Sequence, residues 1–167
     1  MEGMGLRIIP SKEGAERSSH DAFIYDFRVL VGSHVKGEPY VTSPSIREFI
    51  KEGKLPNGMS VGIISFLVRK KEKSVEFFLY YPLDKAGFLA KGGVATGLEL
   101  ACMRHLQNEY RGYTIRPPTK PLLARKLQLQ KRRNMPSEGL DVAIKKSQKY
   151  LVDMHKQRRP PKRKPLA

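Results

Sequence analysis

Three groups of residues in this chain have types and spacings suited to chemistry. The first is Gly92-Gly-Val-Ala-Thr-Gly97, which leads into an apolar helical stretch. Consecutive glycines let a backbone approach a ligand closely, and the free N–H groups of a first helical turn, reinforced by the helix dipole, attract phosphate. A plain tight turn is the competing reading of the same glycines. The second group is Glu76 with Tyr80 and Tyr81, all within the β-rich run Val75–Pro82. A carboxylate there can take a proton from an amine and a phenol can give one up. The structural alternative is a carboxylate paired with a lysine and tyrosines packed with their hydroxyls at the surface.

The third group is cationic. Residues 111–167 hold 17 Lys and Arg against 3 Asp and Glu, whereas residues 1–110 hold 15 against 13, within a net charge of +16. The candidate phosphate contacts are Lys120, Arg125, Lys126, Lys131, Arg132 and Arg133, then Lys145, Lys146 and Lys149, then Arg158, Arg159, Lys162, Arg163 and Lys164. Such a concentration implies a polyanionic partner, nucleic acid first and an anionic membrane second. Tyr113 and Tyr150, with Tyr110 just before the region, are its only aromatic residues, too few for a base-stacking platform. Recognition through backbone and shape, with no helix-turn-helix, RRM or zinc-finger signature, favours structured RNA over DNA. A membrane role would need bulky apolar side chains on the last helix, and Trp and Phe are missing there.

Other chemistries are excluded by composition. Cys102 is the single cysteine, so neither a disulfide framework nor a cysteine zinc site can form within the chain. Its apolar helical setting predicts a buried, structural thiol. His20, His34, His105 and His155 are far apart, and no metal site is expected. The longest apolar run, Val61–Val68, is too short for a membrane span, and no signal peptide opens the chain. A cytoplasmic protein is expected.

The elements that must position these groups follow from pattern. Leu6–Pro10 reads as a short strand closed by proline, and residues 12–30 as a helix capped by Ser11. Residues 32–44 read as a loop, and Ser45–Gly53 as a helix. Ser60–Val68 and Ser74–Tyr81 flank the polar turn Arg69–Lys73 as a hairpin, with the second strand central in its sheet. Val94–Glu109 is a helix burying Val94, Leu98, Ala101, Cys102 and His105. Arg111–Ile115 is a strand, completing a βαβ unit, and Thr119 caps a helix from Lys120 to Arg133. Past Pro136-Ser137, the stripe Leu140, Ile144, Ser147, Leu151 and Met154 marks a last helix with lysines on its other faces. The organisation is thus a globular body over 1–135, a basic amphipathic helix over 136–157, and a basic, proline-rich tail over 158–167 that is disordered without a partner.

This order of elements resembles the GNAT acyltransferase superfamily over residues 6–135, which implies an α+β fold: a mixed central sheet flanked by helices, followed here by the basic helix and tail. The fourth strand of that family ends near a V-x-P element and runs into an Arg/Gln-x-x-Gly-x-Gly/Ala loop for the pyrophosphate of acetyl-CoA. Tyr80-Tyr81-Pro82 stands at the first position and Gly93-Val94-Ala95 at the second. The resemblance implies acetyl-CoA as cofactor, held by Lys91, Gly92, Gly93, Val94, Ala95 and Thr96, with Glu76 as base and Tyr80 or Tyr81 as acid. The pattern departs at Ala90, where the family has Arg or Gln, and at Leu127 and Gln128, where it often has a tyrosine acid. The loop after Pro82 is about five residues longer than usual, and the two terminal strands are not evident. Two functions stay open: an acyl-CoA-dependent N-acetyltransferase acting on or near an RNA or ribosomal acceptor, and a non-catalytic RNA-binding or ribosome-associated protein on the same fold. An unrelated α+β fold with a fortuitous Gly-Gly turn is the third reading.

Overall fold

The computed structural model describes residues 3–11, 21–82, 94–116 and 138–157, and of residues 79–82, 95 and 154–157 the backbone alone. The segment 12–20, the glycine-rich stretch 83–93, the expected helix from Lys120 to Arg133, and the tail from Arg158 lie outside the described residues. Within them the chain forms a seven-stranded mixed sheet and three helices, an α+β architecture.

Strand β1 (Met4–Pro10) pairs along its whole length with β2 (Ala22–Ser33), antiparallel. β2 corrects the expectation of a helix over residues 12–30. Phe23, Tyr25, Phe27, Val29 and Val31 are buried at a period of two, whereas Ile24 and Arg28 are exposed. A dense run of aromatic and β-branched residues satisfies a helical and an extended pattern at once, and pairing on both sides decides for the strand. β2 runs to Ser33, inside the expected loop, and Tyr40–Val41 forms a short β3 on the outer edge of β1.

Helix α1 (Pro44–Lys51) starts as its sequence prescribes. The Ser43 hydroxyl accepts the Ile46 amide at 3.2 Å, Pro44 fits the first turn, and Ile46 and Ile50 enter the core. Gly53, at φ 75°, ends it. Strand β4 (Ser60–Arg69) pairs with β2 and with β5 (Ser74–Pro82), which is the expected hairpin. Ser65 pairs with Leu79 and Phe66 with Phe77, so Phe78 is an extra residue on β5 and makes a bulge.

Helix α2 (Val94–Glu109) returns the chain to β6 (Thr114–Arg116), parallel to β5, and the expected βαβ unit is present. β6 starts later than expected because the turn at Gly112, φ 80°, takes up residues 110–113. α2 buries Val94, Leu98 and Cys102 as the spacing predicts, and also Leu100, Met103 and Leu106; Ala101 and His105 are half-buried. One terminal strand that the sequence did not reveal, β7 (Glu138–Gly139), pairs with β6 over two residues. Helix α3 (Leu140–Gln157) then packs on α2 through Leu140, Ala143, Ile144 and Ser147.

The sheet order is β3-β1-β2-β4-β5-β6-β7. One continuous core joins Leu6, Ile8 and the buried side of β2, β4 and β5 to Ile46, Leu98, Met103, Leu106 and Ile144 of the helices. Its centre is aromatic: Phe27 meets Phe66 edge-on at 5.8 Å, and Phe66 meets Phe77 at 4.4 Å.

Candidate functional site

β5 is nine residues long, but β6 pairs only with Ser74, Val75 and Glu76. Beyond Glu76, among the described residues, β5 keeps β4 on one side and has no strand on the other. Among the described residues no strand takes up its backbone N–H and C=O groups on that edge. Among the described residues the pairing of the two parallel strands therefore ends at Glu76, a fork on the side of the carboxyl end of β5. In open sheets with βαβ units, ligands bind beyond the carboxyl ends of strands, where neighbouring strands diverge. The Phe78 bulge lies two residues into the opening, where it re-aims the strand.

Glu76 at the fork is 6% exposed, and its carboxylate has no hydrogen-bond or ion-pair partner among the described residues. A buried carboxylate without a partner is costly to the fold. Arg116 is its register partner on β6, but the guanidinium goes elsewhere: Nη2 lies 2.6 Å from Oε2 of Glu72 in the hairpin turn. Glu72 also faces Arg69 at 4.0 Å. Two residues before Glu76 on the same face, the Ser74 hydroxyl is buried and likewise has no hydrogen-bond partner among the described residues. An unsatisfied hydroxyl and a buried carboxylate thus sit side by side at the root of the fork. Further across the same face, Ser65 is satisfied by donating to Asp26.

The other predicted site residues are distributed as follows. Tyr80 and Tyr81 belong to the open stretch of β5, where their backbones pair with Ile64 and Ile63; their side chains lie outside the described residues. Val94, Ala95 and Thr96 form the first turn of α2, with Val94 buried, while Lys91, Gly92 and Gly93 lie outside the described residues. That turn contains no acidic side chain, so its free amides remain suited to an anion. Gly97 serves packing, since a Cβ there would come within 3.3 Å of Val41. Its bare backbone lets α2 sit closely against β3.

Sequence reasoning missed a half-buried polar network on the α2 side of the sheet. The Tyr25 hydroxyl donates to Glu109 at 3.1 Å and lies 3.0 Å from His105 Nε2, which is itself 3.1 Å from Glu109. Burial, then the charge of Glu109, drives the Tyr25 phenol well above its usual range. Tyr110, against Tyr25 and Tyr113, is pushed up to about 12 by burial and the same carboxylate. The His105/Glu109 spacing of four is visible in the sequence. Their partner is not, because the apolar pattern around Tyr25 also fits a helix. Burial raises the Cys102 thiol well above its normal value, which agrees with the structural role expected of it.

A cleft of about 500 Å³ lined by Gln107, Asn108, Arg111 and Asp141 opens at the start of β6, the end away from the fork. Among the described residues no cluster of three or more His, Cys, Asp or Glu could hold a metal, and no helix is long and apolar enough to cross a membrane. No family model matches the chain, and no curated protein or solved structure matches it either. Among the described residues the fork, with the buried Glu76 beside the unpartnered Ser74 hydroxyl, is the place where this fold offers chemistry.

Proposed function

We propose that this protein is a GNAT-like, acyl-CoA-dependent N-acetyltransferase that acts in the cytoplasm on or beside an RNA or ribosomal acceptor. The observation that supports the reading is the buried Glu76, without a partner among the described residues, at the last described pairing of β5 with β6. Such a carboxylate is a liability for stability and an asset for taking a proton from an amine.

The residues around the fork fit an acyl-CoA. From Glu76 to Pro82 is about 20 Å of extended strand, a distance a pantetheine arm can follow, and its two amides match the backbone groups of Phe77–Pro82 that no described strand takes up. In a βαβ unit the helix begins at the carboxyl end of the first strand, so the amides of Val94, Ala95 and Thr96 belong to the same end of the sheet. With Lys91, Gly92 and Gly93 of the preceding sequence, they are the proposed hold on the pyrophosphate. When bound, the acyl-CoA supplies the electrophilic thioester carbon. Glu76 accepts the proton an acceptor ammonium must lose before its nitrogen can attack, and Tyr80 or Tyr81 donates a proton to the departing sulfur. Positioning both reactants along one strand supplies the rest of the acceleration.

The alternative is a non-catalytic RNA-binding or ribosome-associated protein. It is favoured by Ala90, Leu127 and Gln128, which stand where the family pattern has charged, amide or phenolic groups, and by the 17-to-3 charge excess of residues 111–167. Calorimetric titration of acetyl-CoA into the RNA-free protein separates the two. Micromolar binding that disappears in Gly93→Asp, which sets a carboxylate against phosphate, supports the enzyme. Absence of binding in the wild type, with steeply salt-dependent RNA binding, supports the alternative.

A further inference from the structure

Helix α3 has two unlike sides. Leu140, Ala143, Ile144 and Ser147 are buried in the body, and the opposite side presents Lys145, Lys146 and Lys149. These three lysines are not equivalent. Lys146 Nζ lies 2.6 Å from Glu138 Oε2, and the Glu138 side chain is only 15% exposed. Releasing that lysine would leave a mostly buried carboxylate without a counter-charge, so the pair holds.

Lys145 and Lys149 are exposed and stand one helical turn apart. Asp141 and Asp153 occupy the positions four residues before and after them, yet among the described residues neither lysine makes an ion pair. Asp141 instead turns its carboxylate back over Gly139. We propose that this face of α3 docks the phosphate backbone of a structured RNA through Lys145 and Lys149, and that Glu138 withholds Lys146 from the contact. The inference rests on the RNA partner read above and assigns it a place on the fold. Charge complementarity selects the occupant, since residues 111–167 set 17 Lys and Arg against only Glu138, Asp141 and Asp153, of which Glu138 is taken up by Lys146. An anionic bilayer fits less well: the exposed apolar side chains Val142, Tyr150 and Val152 are interrupted by lysines and aspartates and form no continuous stripe.

The test measures the affinity of the full chain for a fluorescently labelled RNA hairpin between 50 and 200 mM salt. Lys145→Gln and Lys149→Gln should each flatten the slope of log K against log salt by about 0.7–0.9, one phosphate contact apiece. Lys146→Gln should leave the slope unchanged, and Glu138→Gln, which frees Lys146, should steepen it by a similar amount. Circular dichroism confirms that each variant is folded; if Glu138→Gln is not, the comparison of the three lysine variants decides. Equal losses from all three lysines, or none from Lys145 and Lys149, overturn the inference while leaving RNA binding intact. Equal affinity for duplex DNA or for phosphatidylserine vesicles overturns the choice of RNA. A wild-type chain that does not bind the hairpin removes the RNA reading itself.

Discussion

The two faces of the central sheet are built on opposite terms. On the α2 side, Phe27, Phe66, Phe77 and their neighbours close a continuous apolar core, and the Tyr25 hydroxyl within it is bonded to both His105 and Glu109. On the other side, at the fork of β5 and β6, Ser74 and Glu76 are just as buried and have no partners among the described residues. The first face has the satisfied, interlocking character of a part that stabilises the fold. The second carries the unmet Ser74 hydroxyl beside the buried Glu76 where the described β5–β6 pairing stops, the signature of a part kept for another purpose.

The largest effect that separates the faces is on stability. Phe66→Ala, at the aromatic centre, should cost about 3–5 kcal/mol through lost contacts and a residual cavity. Urea denaturation measures it. Ser74→Ala, on the other face, should cost nothing or stabilise slightly, because it removes an orphaned hydroxyl. Comparable losses from the two substitutions would erase the distinction between the faces.

Activity should show the reverse order. Glu76→Gln should leave the unfolding midpoint unchanged or raised and lower acetyl transfer by about 10²–10⁴-fold. Turnover of any acceptor amine, followed by release of free thiol, reads the second quantity. A stability loss with intact turnover would make Glu76 a structural residue.

Glu72 sharpens the same point at smaller scale. By holding Arg116 at 2.6 Å it keeps that guanidinium from the neighbouring Glu76. Glu72→Gln should let Arg116 pair with Glu76 and lower turnover by about tenfold, since a charge-paired carboxylate is a weaker base. Adding Arg116→Ala to Glu72→Gln should restore it. A double variant no better than the single would show that Glu72 acts through the turn and not through Arg116.

The legibility of the two faces in the sequence differs for physical reasons. The β4–β5 hairpin, α1, α2 and the βαβ unit are readable because each combines a clean period with a turn or cap at its end: Ser43 and Pro44 before α1, Lys70–Lys73 between the strands, Gly112 after α2. β2 is not, because the eight apolar residues among the twelve of Ala22–Ser33 satisfy a helical face as well as an alternation, and its partners β1 and β4 select the extended form. Glu76 is visible as the lone charge on a bulky strand. That it sits where pairing with β6 stops depends on the length of β6, three residues whose end no local pattern marks. The diversion of Arg116 to Glu72 and of Lys146 to Glu138 joins residues from different strands and helices, and side-chain choices of that kind are made only after the fold is in place.

The smallest effect, and a check on the satisfied face, is in alkali. Tyr25 and Tyr110 are held above the ordinary phenol value of about 10, Tyr110 at about 12, chiefly by burial and then by Glu109. A phenol whose pKa is higher folded than unfolded binds its proton more tightly in the native state. Its contribution is therefore complete below pH 10 and is lost progressively as pH rises toward and beyond 12, where the unfolded chain gains by ionising first. The unfolding midpoint should fall over that window, and Tyr110→Phe should make the decline shallower, because one of the two linked protons is gone. Tyr25→Phe should do the same more strongly at high pH, while costing about 1–3 kcal/mol at neutral pH by leaving the buried side of the His105–Glu109 pair without its hydroxyl. An alkaline decline identical in all three proteins would place its origin outside this network, and the α2 face would then owe its stability to apolar packing alone.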